Sequence, residues 1–178
     1  MLASPSIALF AKLPNSEPFS YIYLLGPNHT TQNIPFNIYS RTKYSIYVGV
    51  GNQMSSSEYY ICYVKLGNED GPLPDVTLGT PSPLPILFEY RSFIENGQTW
   101  EAPLTFQIDN LNFSETNCQL NGITINGLNY PVSVSSAYDS NSTGYYYALI
   151  VELWLYNSTT GTAMYNNRYV SLYLNMTQ

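Results

Sequence analysis

Short runs of alternating apolar and polar residues, separated by clusters of Gly, Pro, Asn and Ser, make up most of the chain. Such alternation puts every second side chain on one face and is typical of half-buried β-strands. No stretch shows the i, i+3, i+4, i+7 apolar spacing of an amphipathic helix. The pattern therefore predicts an all-β fold, and we expect an Ig-like antiparallel β-sandwich of about nine strands.

The predicted strands follow one another at short intervals. A loose first run at 7–13 precedes runs at 18–26, 43–52, 57–66, 86–94, 100–108, 119–134, 145–157 and 168–176. The runs 86–94 and 100–108 indicate a hairpin or neighbouring strands around an NGQ turn. The stretch 119–134 is a pair of short strands broken by two Asn-Gly turns, which are strong hairpin signals.

Alternation also assigns the faces of these strands. The residues expected to share inner faces are Ile46, Val48 and Val50, then Tyr60, Cys62, Val64 and Leu66, then Leu149, Val151, Leu153 and Leu155, and finally Val170, Leu172 and Leu174. The opposite side of the last two strands then carries many aromatic residues. If it is solvated, Tyr146, Trp154, Tyr156, Tyr169 and Tyr173 form a possible binding face for a partner or a sugar. The alternative is that Tyr simply favours strands and that loops or glycans cover this face.

Charge is scarce in this chain. Only 10% of residues are charged, against about 25% in a typical soluble domain, and 6 basic and 12 acidic residues give a net charge of −6. Binding of nucleic acid through a basic surface is excluded, because phosphate neutralisation needs clustered Lys and Arg. Few ions, little Lys and 18 Tyr favour an extracytoplasmic, cell-surface protein.

Five N-x-S/T sequons agree with that location and make the chain a candidate glycoprotein. The glycosylation candidates are Asn28, Asn112, Asn141, Asn157 and Asn175. Asn28, Asn141 and Asn157 lie in turn-like stretches, where a glycan can be attached without disturbing a core.

The two cysteines, Cys62 and Cys118, leave two interpretations open. Outside the cell they are candidates for one disulfide that closes a long loop, and inside a cell they would be two buried thiols. No Cys/His spacing indicates a metal site, and we expect no metal and no cofactor.

The chain shows no membrane span and no signal peptide of its own. The most apolar stretch contains Glu152 and is shorter than the roughly 20 residues that a spanning helix needs. We expect residues 1–17 to form an N-terminal strand or stalk and residues 18–178 to form a single domain. An exported protein then requires an N-terminal signal or anchor that this chain lacks, and Met1 is expected to be a trimmed or artificial start.

Several stretches resemble the extracytoplasmic domain of archaeal membrane proteins grouped as domain of unknown function 1616. They are FSYIYLLGPN (19–28), YSIYVGVGNQ (44–53), EYYICYVKLGN (58–68) and ENGQTWEAPLTFQI (95–108), with ALIVELWLY and RYVSLYLN near the end. The resemblance implies an Ig-like sandwich that follows N-terminal membrane helices. It carries over no catalytic residue.

Catalytic chemistry finds little support in the residues. His29 is the only histidine and lies in a turn, so a Ser-His or Cys-His nucleophile would depend on it. Paired carboxylates can hydrolyse glycosides, but Glu89 is expected to pair with Arg91 and Glu101 to be structural. We expect no catalytic residues.

The sequence thus predicts a non-catalytic ectodomain of an archaeal cell-envelope protein that acts in surface interaction or adhesion. Its expected partners are other envelope proteins or glycans, with membrane contact only through the missing anchor. Two alternatives stay open. One is a glycosylated subunit of an extracellular filament, joined by β-strand donation from the N-terminal segment around residues 4–13. The other is a carbohydrate-binding module.

Overall fold

The computed structural model describes residues 17–178, so the expected strand at 7–13 lies outside the described residues. The described part of the chain contains no helix long and apolar enough to span a membrane. It consists of strands joined by turns and loops, which confirms the all-β class. The strands are β1 (Phe19–Leu25), β2 (Asn37–Tyr39), β3 (Lys43–Gln53), β4 (Glu58–Asn68), β5 (Phe88–Ile94), β6 (Thr99–Phe113), β7 (Asn117–Ile125), β8 (Leu128–Ala137), β9 (Tyr146–Asn157) and β10 (Thr162–Thr177).

Two five-stranded sheets form a sandwich, as predicted. Sheet A has the strand order β1-β3-β6-β7-β8, and sheet B has the order β2-β10-β9-β4-β5. All neighbouring strands are antiparallel except β2 and β10, which are parallel. The sequence pattern missed β2, because three residues are too few to show alternation.

The core lies between the sheets and is built from the predicted inner faces. Ile46, Val48 and Val50 of β3 have no exposed surface. The predicted set on β4 is also buried, as are Leu149, Val151 and Leu153 of β9 and Leu172 and Leu174 of β10. Burial of each such side chain contributes about 1.5–3 kcal/mol, so this period-two pattern fixes which face of each strand turns inward.

The two Asn-Gly pairs have different roles. Asn126 and Gly127, with φ of 48° and 83°, form the tight turn between β7 and β8, as expected for a two-residue hairpin. The first pair does not end a strand. The register between β7 and β8 shifts between Asn121 and Ile123, and Gly122 has a φ of 84°, so this glycine marks a β-bulge inside β7.

The expected hairpin or neighbouring pair at 86–94 and 100–108 is wrong. β5 pairs with β4 in sheet B, whereas β6 pairs with β3 and β7 in sheet A. The turn between them crosses from one sheet to the other. The fully buried Asn52 holds this crossing, because its Nδ2 donates to the Ile94 carbonyl (2.8 Å) and its own carbonyl accepts from the Gly97 N–H (2.7 Å).

A long connection between β4 and β5 lies against the outer face of sheet B. We call residues 69–87 the covering loop. Leu84 contacts the backbone of β4 where a side chain on Gly67 would collide with it, and Gly79 approaches Asn167 of β10. The loop therefore spans the sheet from β4 to β10 and returns to β5.

Candidate functional site

The covering loop buries an ion pair on the outer face of sheet B. Lys65 Nζ and Glu152 Oε2 are 2.9 Å apart, and the two side chains are 4% and 0% exposed. Ser82 completes the arrangement, because its N–H donates to Glu152 Oε1 (2.7 Å) and its carbonyl accepts from Lys65 Nζ (2.5 Å). Trp154 Nε1 also donates to Glu152 Oε2 (3.0 Å). Both charges are thus paired and hydrogen-bonded, as buried charges require.

A cleft opens beside this covered region, at the hairpin between β9 and β10. The register between the two strands shifts between Tyr165 and Arg168, and Asn167 has a φ of 51°. The two asparagines at 166–167 therefore form a bulge, and Asn tolerates this left-handed conformation better than most residues. The bulge widens the hairpin and re-aims the side chains next to it.

The hairpin cleft has a volume of about 420 Å³. Its lining residues are Glu58, Leu155, Tyr156, Asn157, Ser158, Met164, Tyr165, Asn166 and Asn167. The Tyr165 hydroxyl and the Asn166 Nδ2 are buried and have no hydrogen-bond partner among the described residues. An unpaired buried polar group costs about 1–3 kcal/mol, so a ligand to which these two groups turn would recover that free energy.

The surroundings of Tyr165 keep its hydroxyl protonated. Burial, and then the negative charge of Glu152, raise the pKa of Tyr165 to about 12. At neutral pH the group is therefore a neutral hydroxyl that can donate one hydrogen bond and accept others. Its ring packs against Trp154, with the centroids 5.9 Å apart, which fixes its position at the edge of the cleft.

The structure divides the predicted aromatic face into separate parts. Trp154 is half-buried, with its ring against Tyr63 (5.3 Å between centroids). Tyr156 is 38% exposed and lies at the hairpin cleft. Ile150 lies on the same face of β9, nearer the start of the strand, and is buried together with the ion pair. The covering loop thus occupies the middle of the expected surface.

The remaining residues of that face lie away from the cleft. Tyr146 and Tyr173 line a small cavity of about 250 Å³ together with Phe36, whose ring is 6.2 Å from that of Tyr146. Tyr169 is half-buried and lines a different cavity, to which Tyr21 of sheet A also contributes. Of the five predicted residues, only Tyr156 lines the hairpin cleft.

Both cysteines are buried and free. Cys62 of sheet B lies opposite Leu153, whereas the carbonyl of Cys118 in sheet A accepts a hydrogen bond from the Tyr147 hydroxyl (2.6 Å). Leu153 and Tyr147 are six residues apart on β9, or about 20 Å, and a disulfide needs Cα atoms within about 7 Å. The candidate disulfide is therefore not formed here, and the structure favours two buried thiols. Burial raises the pKa of Cys62 to about 12.

The sequons differ in their surroundings. Asn28, Asn112 and Asn141 are exposed. Asn157 is half-buried, and its Oδ1 accepts the Thr159 N–H (2.9 Å). Asn175 is held inside the sheet edge, because its Nδ2 donates to Asn37 (3.1 Å) and its Oδ1 accepts the Tyr145 N–H (3.2 Å).

His29 belongs to a cluster on the outer face of sheet A. Its Nδ1 lies 2.8 Å from Glu101 Oε2, its ring is stacked 3.8 Å from that of Tyr47, and the Tyr23 hydroxyl donates to Glu101 Oε1 (2.7 Å). The hydrogen bond from Tyr23, and then that from His29, hold the pKa of Glu101 below its usual value. These contacts hold the 26–33 turn against sheet A, so the Glu101 carboxylate has a structural role.

The sequence analysis missed Tyr165, Asn166 and Lys65. The signal for the first two was the Asn-Asn pair directly before the last predicted run at 168–176, where two residues that favour turns indicate a bulge. Lys65 gave no such signal, because its burial depends on the covering loop. Within residues 17–178 no group of three His, Cys, Asp or Glu side chains is arranged to hold a metal ion.

No protein-family model and no curated protein matches this chain, so the resemblance to the archaeal family stays a prediction. Among solved structures, similarity is found to a β-glucosidase from Listeria innocua in complex with glucose, at a TM-score of 0.41 and 7% identity. The same enzyme in complex with gluconolactone is similar at a TM-score of 0.42 and 6% identity. The matches cover 98% of this chain but only 19% and 20% of the enzyme. Likeness at this level carries no argument about function, and the class that the fold defines is an all-β sandwich.

Proposed function

We propose that this domain is a non-catalytic, extracytoplasmic interaction module of an archaeal cell-envelope protein, and that it acts in adhesion by binding neutral glycans at the hairpin cleft. The observation that carries the proposal is that two residues lining this cleft, Tyr165 and Asn166, each hold a buried polar atom, the hydroxyl and the Nδ2, with no partner among the described residues. A sugar hydroxyl can accept a hydrogen bond from the Asn166 Nδ2 and donate one to the Tyr165 hydroxyl.

The chemistry of the lining favours a neutral, polyhydroxylated ligand. Tyr156 and Met164 supply apolar surface for the C–H faces of a sugar, while Asn166 and Glu58 supply a donor and an acceptor. None of the lining residues is a lysine or an arginine, and the whole chain carries a net charge of −6. An anionic ligand would therefore meet no counter-charge.

The same lining supports binding without hydrolysis. Glycoside hydrolysis commonly uses two carboxylates on either side of the scissile bond, and Glu58 is the one carboxylate among the lining residues. Glu58 Oε1 is already engaged by the Ser56 hydroxyl at 2.6 Å. Glu152 is sequestered by Lys65 and the covering loop.

The test is retention of the purified chain on an array of neutral and acidic oligosaccharides, followed by titration of the best neutral one. Tyr156→Ala and Asn166→Ala should each weaken binding about tenfold or more, since about 1.4 kcal/mol is a factor of ten. Tyr173→Ala is the matched control, because that ring is similarly exposed but lies at the other end of sheet B. It should bind as the native chain does.

Three results would contradict the proposal. The first is no retention of any neutral glycan. The second is retention of the Tyr156→Ala and Asn166→Ala variants equal to that of the native chain. The third is cleavage of the bound oligosaccharide. The last would make the domain an enzyme, and product analysis of the titrated sample detects it.

A further inference from the structure

One edge of β10 is paired over only a few of its residues. β2 pairs with Asn175–Thr177 in parallel. The preceding residues, 168–174, pair with β9 on one side and with no strand on the other among residues 17–178. Within the part of the chain that the structure describes, a stretch of seven residues at the edge of sheet B is therefore unpaired on one side.

The backbone groups on this open edge can be assigned from the β2 pairing. The Asn175 N–H donates to the Phe36 carbonyl on that side (2.8 Å). Alternate residues of a strand direct their N–H and C=O groups to opposite edges. Tyr169, Ser171 and Tyr173 therefore direct theirs to the open edge, where they can pair with an added strand.

The core is incompletely covered beside this edge. Ile22 and Leu24 of β1 and Val170 of β10 face the core and pack against it, yet each is only half-buried. A cavity of about 560 Å³ opens here, and Tyr21 and Tyr169 are among its lining residues. An added strand with one apolar face would bury these side chains as well as pair the edge.

Two of the other edge strands, β5 and β8, carry features that discourage pairing. β5 presents the exposed ion pair of Glu89 and Arg91 (2.8 Å), and β8 contains Pro131. Charged residues and proline on an edge strand oppose addition of another strand. The open stretch of β10 contains no proline, and its one charged residue, Arg168, lies at its first position.

The N-terminal sequence supplies a run with the matching pattern. As a strand, IALFAKL (7–13) would place Ile7, Leu9, Ala11 and Leu13 on one apolar face, and Ala8, Phe10 and Lys12 on the other. The run has as many residues as the open stretch 168–174. We propose that residues 7–13 of a second copy of this chain add to the open edge of β10 as a β-strand.

The sequence after the run favours addition to another molecule. Leu13 and Glu17 each precede a proline, and a residue before proline is biased toward extended backbone. Two such positions within five residues disfavour the tight reversal that would return the run to its own β10. A donor and an acceptor on different surfaces of one chain join copies head to tail, which builds a filament.

The test uses full-length chains with one side disabled. Ser171→Pro removes an N–H that points to the open edge and leaves the ladder with β9 intact. Leu9→Asp places a charge on the donated apolar face. The matched controls are Ser171→Ala, which keeps the N–H, and Ala8→Asp, which places the charge on the opposite face of the run. Circular dichroism checks folding, and Tyr173→Pro replaces Ser171→Pro if that variant does not fold.

Molar mass by light scattering decides the outcome. The native chain and both controls should form head-to-tail oligomers whose mass rises with concentration, and each disabled variant should stay a monomer. An equimolar mixture of Leu9→Asp and Ser171→Pro should give a heterodimer of twice the monomer mass and nothing longer. A monomeric native chain, or a mixture that stays monomeric, overturns the proposal. A monomeric native chain that Ser171→Pro destabilises would indicate insertion of the run into its own β10.

Discussion

Lys65 Nζ and Glu152 Oε2 meet at 2.9 Å beneath the covering loop, with both side chains shielded from water. The pair joins β4 to β9, and the Ser82 backbone bonds to both of its members. The chain has only six Lys and Arg residues, and one of them, Lys65, is buried between the covering loop and sheet B. This contact decides which part of sheet B stays open to a ligand.

Removing one member of this pair should destabilise the fold strongly. Glu152→Gln leaves the Lys65 charge buried without a counter-charge, and such a loss costs about 3–5 kcal/mol. Urea unfolding followed by tryptophan fluorescence measures it. The matched control is Glu89→Gln, which breaks the exposed pair with Arg91 and should leave the midpoint unchanged. Equal midpoints for the two variants would show that the buried pair is not formed in solution.

The Glu101 cluster should make stability depend on pH in the acid range. The pKa of Glu101 is lowered in the folded state by Tyr23 and then by His29. The stabilisation is therefore present above the ordinary glutamate pKa of about 4.3 and is lost as the pH falls through the lowered value. Tyr23→Phe removes the larger cause.

Urea midpoints measured from neutral pH down into the acid range check this. Tyr23→Phe should show a smaller loss below about pH 4.3 than the native chain. Tyr47→Phe keeps the ring stacked on His29 and should show the native pH dependence. An unchanged acid dependence in Tyr23→Phe would contradict the assignment.

The two thiols should be unreactive in the native state. Cys62 and Cys118 are 1% and 0% exposed, and burial raises the pKa of both, so neither is an accessible thiolate. We expect a thiol reagent to label no cysteine in buffer and two per chain in denaturant without reductant. Labelling of none in denaturant would show that a disulfide forms after all.

Glycan occupancy should follow the surroundings of each sequon. In protein purified from its source cells, peptide mass mapping should find glycans at Asn28, Asn112 and Asn141, which are exposed. Asn175 should be unmodified, because both polar atoms of its side chain are bonded within the sheet edge. A fully occupied Asn175 beside an empty Asn141 would be the opposite of this expectation.

Alternation within single strands was sufficient to predict much of the fold. Val48 and Val64 are buried where the period-two pattern places them, because a strand with one buried face must present its apolar residues together. The Asn126-Gly127 turn was equally predictable, since few other residues accept its backbone conformation. Strand faces and tight turns depend on residues that are close together along the chain, so the sequence alone indicates them.

The site could not be predicted in the same way. Tyr156 was anticipated as part of an aromatic face, but Tyr165 and Asn166 reach the hairpin cleft only because a bulge turns them. The candidate pairing of Cys62 with Cys118 assumed an approach that the sheets do not make. Each of these depends on distances between strands, which local pattern does not encode.

The sequence by itself thus determined the class of the fold, the inward face of each long strand and the scarcity of charge. The tertiary structure decided which outward faces reach water. Ile150 and Tyr156 lie on the same face of β9, yet the covering loop buries the first and leaves the second exposed. Alternation fixes which side of a strand a residue occupies, but exposure depends on what packs over that side from a distant part of the chain.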